Sequence, residues 1–371
     1  MKIPFIDLKA QFHRIRPEIT SAVGDVLDKA TFIMGENVLL LEKEVSQYLG
    51  GEKTIAVGSG SDALYLALKA YQIGPGDEVI TTPFSFISTA DAIIRNGATP
   101  IFADIHPQTY NIDPDEILKH ITPRTKAIIP VHLYGQCAEM DQIMEIAKKH
   151  SLLVIEDACQ AFGAAYKGRK AGTWGDIGCF SFFPTKNLGG CGDGGMIVAA
   201  DPKIALLLRK LRMYGSETRY HHVIHGVNSR LDEIQAAVLR VKLPYIDQWN
   251  KERREFAAKY DSLLRNLPLI LPFSNQAAQH IYHLYVVRTE QRDKFISYLN
   301  DHEIGTAIHY PKPIYLQPSY SHLGYYQGLC PQAESAASQI CAIPLYPEMT
   351  DEMVNEVARV IRTFFHGEGR L

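Results

Sequence analysis

Several features that would quickly assign a chain are missing here. Nowhere in the 371 residues does an apolar run approach the ~18 that a membrane-crossing helix needs. Positive charge is not in excess, since 38 Lys and Arg stand against 41 Asp and Glu, a net −3. A nucleic-acid binder carries a strongly basic domain, so that class is excluded as an expectation. The six cysteines (137, 159, 179, 191, 330 and 341) lie far apart with no C-x-x-C pair, so neither a metal site nor a disulfide framework is expected. The N-terminus, MKIPFIDLKAQFHRIR, carries charges where a secretion signal needs its apolar stretch. The expected location is the cytoplasm, with reduced thiols. No repeat, low-complexity stretch or charge block interrupts the chain.

What is present is a large apolar fraction, 46%, enough to offset chain entropy in an ordinary globular fold. At roughly 150 residues per domain the length suggests two domains. Over the first two-thirds, short β-branched or apolar runs read as buried strands: 54–57, 78–82, 100–103, 127–132, 152–156, 179–182 and 196–199. Helical patterns lie between several of them, at 61–71, 87–95 and 140–150. Alternation of this kind predicts an α/β fold with a mostly parallel sheet covered on both faces. Ligands of such sheets bind outside the carboxyl ends of the strands. From about Asn228 the texture changes, with helical patterns at 229–242 and 244–264, a strand at 283–287, a helix at 290–300 and a last amphipathic helix after Thr350. The expected division is a large domain, 1–245, and a small C-terminal domain, 246–371. Two helical patterns in the first 50 residues are expected to pack on the small domain or on a partner subunit.

Directly after the first strand the chain reads VGSGSDAL (57–64), and a helical pattern follows at once. Glycines let a backbone approach a ligand, and a helix N-terminus offers unpaired N–H groups to a phosphate. The letters also fit a dinucleotide turn as Gly58, Gly60 and Ala63. That reading needs an acid at the end of the next strand, where the sequence has TTPFSF instead. A single phosphate held by Gly60 and Ser61 fits better; the plainer alternative is a tight turn with Ser61 as helix N-cap.

Strand 152–156 runs into Asp157 and Gln160. A carboxylate ending a buried strand is costly to ionise without a partner. It either caps the next helix or bonds loop amides, or it pairs with a protonated heterocycle. Later, SFFPTKNLGGCGDGG sets Lys186 between an apolar strand and five glycines, a setting that encloses the amine and favours its nucleophilic form. A phosphate cradle, a buried acid and a nucleophilic lysine together are the three anchors of pyridoxal phosphate. Ser181 adds a hydroxyl for the phosphate, and Phe86 is either a ring that stacks on the cofactor or a core phenylalanine.

The chain resembles the DegT/DnrJ/EryC1/StrS sugar aminotransferases along nearly its whole length. The blocks that carry the likeness include FIDLKAQ, GSGSDAL, GPGDEVITTPFSFISTA, IIPVHLYGQ, VIEDACQAFGA, SFFPTKNLGGCGDGG and GVNSRLDEIQAAVL. The resemblance implies a three-layer fold-type-I transferase and a homodimer with shared active sites. By position it makes Lys186 the Schiff-base lysine, Asp157 the partner of the pyridine nitrogen and Gln160 the partner of the phenolic oxygen. Gly60, Ser61 and Ser181 match phosphate contacts, Phe86 the stacking ring, and Asn228 a residue reaching the neighbouring subunit's cofactor. Relatives that are dehydratases have histidine in place of the lysine, which is present here.

The implied reaction, in amino-sugar biosynthesis, takes an amino group from L-glutamate, leaves pyridoxamine phosphate, and aminates a keto-sugar on a nucleotide diphosphate. GVNSRLDE resembles members acting at C3 of dTDP-3-oxo-6-deoxyhexoses or of a UDP-3-oxo-uronate, whereas C4-aminating members more often read GYNYRM. Arg219, Tyr220, His309 and Tyr310 are candidates for the sugar pocket. Two other classes stay open at this point: a nicotinamide oxidoreductase built on VGSGSDAL, and a cofactor-binding regulator without turnover.

Overall fold

Seven of the expected strands align in one sheet in the computed structural model, which describes residues 1–367. The chain begins with three helices, α1 (Leu8–Arg14), α2 (Arg16–Lys29) and α3 (Glu36–Leu49). The sheet strands are β1 (Lys53–Val57), β2 (Glu78–Thr81), β3 (Thr99–Phe102), β4 (Thr125–Ile129), β5 (Leu153–Asp157), β6 (Ile177–Ser181) and β7 (Gly195–Ala199). Among them run α4 (Gly60–Ala70), α5 (Ser88–Arg95), α6 (Pro114–Lys119) and α7 (Met140–His150), and α8 (Pro202–Leu211) follows β7.

The spatial order is β1-β7-β6-β5-β4-β2-β3. Pairings from β3 across to β6 are parallel, but β7 runs antiparallel to both neighbours, β6 and β1. Alternate strand residues go to opposite faces. Val154 and Ala56 enter one apolar cluster with α3 and α7, while Ile155, Ile55 and Val57 enter another with α4, α5 and α8. Burial on both faces explains why these strands read as continuous apolar runs. The result is the three-layer α/β architecture.

After the sheet come α9 (Glu233–Lys242) and α10 (Ile246–Leu264), joined by a 3₁₀ turn, Leu243–Tyr245. The helix expected from residue 229 begins four residues later, because Ser229 spends its hydroxyl on Asp62 (2.7 Å) and receives the Gly58 amide (3.0 Å). Pro244 opens the 3₁₀ turn rather than the long helix. Strands β8 (Tyr285–Arg288) and β9 (Ile340–Ile343) pair antiparallel. With α10, α11 (Arg292–Asp301) and α13 (Asp351–His366) they bury a separate cluster that includes Tyr260, Phe295, Val287, Ile343 and Ile361; α12 (Pro331–Gln339) precedes β9.

The N-terminal helices depart from expectation. α2 and α3 pack on α9, and α3 also packs on β1, so they cover the large sheet's side of the molecule. Contacts with the C-terminal part are made by Ile3, through a parallel bridge to Ile304, by Ile15 and Ile19 against Trp249 of α10, and by Arg14 with Glu252 (3.6 Å). The helix α3 has no side-chain cap of its own at Gly35. Glu233 supplies one from across the chain, accepting from Asn37 N (2.5 Å) and Val38 N (3.1 Å).

Candidate active site

A cavity of about 450 Å³ opens at the carboxyl edge of the parallel strands. Five strands contribute: Gly60 and Ser61 after β1, Ser85, Phe86 and Thr89 after β2, Val131 after β4, Asp157, Cys159 and Gln160 from the end of β5, and Ser181, Thr185 and Lys186 from the end of β6. The C-terminal part adds His283, His309 and Tyr310. Nine of the residues singled out in the sequence therefore line one space: Gly60, Ser61, Phe86, Asp157, Gln160, Ser181, Lys186, His309 and Tyr310.

Asp157 is buried, 5% exposed, at the last position of β5. Its Oδ2 accepts from Thr89 Oγ1 (2.7 Å) and its Oδ1 from the Cys159 amide (3.2 Å). The main chain is fixed as well, with Asp157 N donating to Pro130 O (2.9 Å) and Asp157 O accepting from His132 N (3.0 Å). Glu156 faces the other way and is also buried, bonding His132 Nε2 (2.8 Å), Gly172 N (2.8 Å) and Gly175 N (2.7 Å). The strand end is thus held on both sides. Gln160 Oε1 accepts from Tyr134 N (2.9 Å), and its Nε2 donates to Tyr310 Oη (3.0 Å).

Lys186 sits partly buried in the loop between β6 and β7, and burial holds its amine below the usual lysine range. The neighbouring Asp157 acts in the opposite direction and is the smaller effect. Burial and the charge of Lys186 push His309 down to about 4. Tyr310 is pushed above its ordinary range by burial, with Asp157 adding to it.

The glycine run after Lys186 is explained by close packing. A Cβ on Gly189 would lie 2.4 Å from Pro184 O, and one on Gly195 would lie 2.4 Å from the Ser59 backbone. Gly60 is a similar case. A side chain there would meet Ser181 Cβ at 2.7 Å and Cys159 Sγ at 2.8 Å. Its missing side chain lets the start of α4 press against the ends of β5 and β6, which brings Ser61 and Ser181 to one wall.

Ser61 is not the N-cap; Ser59 is, accepting from Asp62 N (3.1 Å). Ser61 lies in the first turn of α4, its hydroxyl 2.7 Å from that of Ser88. Phe86 is 53% exposed, which excludes a core role, and its ring centroid stands 6.2 Å from that of Tyr310. Three expected residues lie outside the cavity. Arg219 and Tyr220 are exposed and stack on each other in a hairpin, with the guanidinium 5.1 Å from the ring centre. Asn228 is exposed beside Ser229, the residue that clamps the Gly58–Asp62 turn from outside.

Sequence reasoning passed over Ser88, Thr89, Cys159 and His283. The hydroxyls at 85, 88 and 89 flank Phe86 at i, i+3 and i+4 spacing within FSFIST, and that periodicity was the available signal.

A mostly parallel α/β sheet with a lysine, a carboxylate and a hydroxyl-lined helix N-terminus in one cavity defines a transferase-like site. The chain belongs to the DegT/DnrJ/EryC1/StrS aminotransferase family, whose model matches residues 13–362. It is 45% identical to the pleiotropic regulatory protein of Geobacillus stearothermophilus, over 98% of this chain and 99% of that one. It is 46% identical to the UDP-N-acetyl-3-dehydro-alpha-D-glucosamine 3-aminotransferase of Acidithiobacillus ferrooxidans, over 98% of each. The fold matches that of S. venezuelae DesV, solved in complex with a ketimine intermediate, with a TM-score of 0.97 and 42% identity over 100% of this chain and 99% of that chain. The protein is an aminotransferase. The nicotinamide reading falls, as β2 ends at Thr81 with no carboxylate.

Proposed function

We propose that this enzyme uses pyridoxal phosphate to move the amino group of L-glutamate to the 3-oxo group of a sugar carried on a nucleotide diphosphate, dTDP or UDP. The observation that carries the reading is the gathering of Lys186, Asp157, Ser61 and Ser181 around one cavity. The donor set suits the cofactor. Hydroxyls and the N-terminus of α4 suit a phosphate, Asp157 suits a protonated ring nitrogen, and exposed Phe86 suits a ring face. Related solved structures carry the cofactor: NtdA of Bacillus subtilis with bound PMP at 34% identity, and Spr1654 of Streptococcus pneumoniae in its PLP form at 26%.

Bound pyridoxal phosphate supplies an electron sink for the negative charge that develops at the donor's α-carbon. Gly60, Ser61 and Ser181 hold the phosphate. Asp157, fixed by Thr89 and the Cys159 amide, would accept the N–H of the ring nitrogen and keep that nitrogen protonated. Gln160 orients the phenolic oxygen, and Phe86 covers one ring face. Lys186 would hold the cofactor covalently and, once released, would accept and return the α-carbon proton at its Nζ. Burial keeps that amine more readily deprotonated than a surface lysine.

The donor brings two carboxylates and the acceptor a diphosphate, yet no arginine lines the cavity among the described residues. We therefore place a second copy of the chain over the opening, presenting Arg219, Tyr220 and Asn228 to its neighbour's cofactor and substrate. His309 and Tyr310 line the sugar side. The same proposal takes 1–245 as the large domain and 246–371 as the small one, supported by the separate apolar cluster around Tyr260 and Phe295. It places the enzyme in the cytoplasm, supported by six free cysteines, and no helix among the described residues is long and apolar enough to cross a membrane.

The test is a panel of dTDP- and UDP-linked 3-oxo and 4-oxo sugars with glutamate as donor. Amination of the 3-oxo compounds is expected. Exclusive use of 4-oxo sugars, or no spectral change of the loaded enzyme with glutamate alone, rejects the reading.

A further inference from the structure

His283 stands between the cavity of Lys186 and a second, mainly apolar cavity of about 340 Å³, and it lines both. A chain of hydrogen bonds that starts at a backbone carbonyl sets the orientation of its ring. Phe162 O can only accept, so Asn250 turns Nδ2 toward it (3.2 Å) and leaves Oδ1 facing Asn187. Asn187 then donates from Nδ2 to that oxygen (2.7 Å), and the same nitrogen lies 3.5 Å from the Ile281 carbonyl. What remains of Asn187 is Oδ1, which faces His283 Nδ1 at 3.0 Å.

An amide oxygen has no proton to give. Nδ1 of His283 therefore carries the proton, and in the neutral ring Nε2 carries the lone pair. The ring is kept neutral chiefly by burial, and then by Lys186, Arg253 and His309, all of which oppose a further positive charge. Arg253 also lies 3.4 Å from the His283 carbonyl, to which it donates. The outcome is a fixed acceptor on the wall of the reacting cavity, held by the residue next in sequence to Lys186.

We propose that His283 is a positioning residue for Lys186: its Nε2 accepts a hydrogen bond from the released Lys186 amine and holds that amine where it exchanges a proton with the donor's α-carbon. The contact is assigned to the released amine, not to the resting structure. This rests on the reading of Lys186 as the reacting amine. An oriented neutral acceptor suits the task, because it fixes one N–H of the amine and leaves its lone pair free toward the substrate.

Two substitutions separate this role from a purely structural one. His283→Asn keeps an amide nitrogen near the Nδ1 position, so it retains the bond to Asn187 and loses the acceptor at Nε2. His283→Gln places an amide oxygen near Nε2 and loses the bond to Asn187. With glutamate as donor, His283→Asn is expected to slow the half-reaction by about tenfold or more, with KM changed by less than about threefold. The isotope effect from deuterium at the α-carbon should rise, and His283→Gln should stay within about threefold of wild type. The reverse order, with His283→Asn near wild type and His283→Gln impaired, overturns the proposal.

A second measurement does not depend on catalysis or on how the variants fold. Nitrogen-15 spectra of histidine-labelled, cofactor-free wild type should show His283 neutral and protonated at Nδ1 from about pH 6 to 8. A proton on Nε2 overturns the proposal. Failure of wild type itself to convert glutamate would instead reject the functional reading beneath it.

Discussion

Thr89 has one hydroxyl proton and three oxygens within reach: Asp157 Oδ2 at 2.7 Å, Ser85 Oγ at 3.1 Å and Phe86 O at 3.2 Å. The carboxylate is the strongest acceptor, and it fixes where the proton goes. Thr89→Val keeps the shape and removes the donor, so Asp157 must be ordered anew when the cofactor binds. A cofactor dissociation constant about fivefold higher is expected, with Thr89→Ser close to wild type, as read by fluorescence titration. Lys186 gives two expectations. Lys186→Ala should abolish turnover, and retained multiple-turnover amination would refute its role. Lys186→Met should stabilise the cofactor-free protein, because a buried amine whose folded pKa is lowered costs stability while the unfolded chain holds the extra proton. That cost is greatest at low pH and fades as pH rises through the lowered folded pKa toward the ordinary lysine value. Melting by calorimetry should show a gain of about 2 °C at neutral pH and a smaller one near pH 10.

At this scale the sequence was readable where chemistry dictates residue type. Lys186, Asp157 and Ser181 stand at strand ends, and strand ends announce themselves. Thr89 and His283 did not, since a threonine on a helix or a histidine before a strand gains its role only from what the fold brings opposite it. Gly60 lines the cavity where ligand approach was expected, and its lack of a side chain also makes room for Ser181 and Cys159.

Among the elements, the turn from β1 into α4 depends on a neighbour far along the chain. Gly195, the first residue of β7, touches the Ser59 backbone so closely that any side chain must displace it. Gly195→Ala is expected to leave folding cooperative yet shift Ser59, Gly60 and Ser61. Affinity for the cofactor should fall about tenfold or more, as read by fluorescence titration. An unchanged cofactor affinity would show that the turn tolerates the push. The strands expected from apolar runs agree with the observed ones to within three residues at either end. Their direction was another matter. A strand buried on both faces shows the same continuous pattern whichever way it runs, so nothing in MIVA distinguishes an antiparallel β7 from a parallel one. Helix starts were missed where a side chain had business elsewhere, as with Ser229.

For the molecule as a whole, the sharing of sites proposed above makes a definite expectation about mixed assemblies. A Lys186→Ala chain and an Asn228→Ala chain should each be inactive or nearly so. Re-associated in equal amounts, half of the dimers are mixed, and each mixed dimer has one intact site. Recovery of about a quarter of wild-type activity is expected. No recovery would mean that each chain completes its own site. The end of the strand–helix alternation was visible as a change of texture near Asn228, but the placing of α2 and α3 was not. Their apolar stripes specify that they must be covered and leave open by what, and α9 turned out to be the cover.

The reversal of β7 has a further meaning for how such a site can vary. Because β6 arrives at the ligand edge and β7 departs from it, the 13 residues between Ser181 and Gly195 are anchored at both ends beside the reacting centre. A crossover to a parallel strand would have carried the chain to the far edge, leaving only a short bend near the ligand. A return stroke instead leaves a long, tethered stretch in which the residue at position 186 can be exchanged with the sheet beneath it undisturbed.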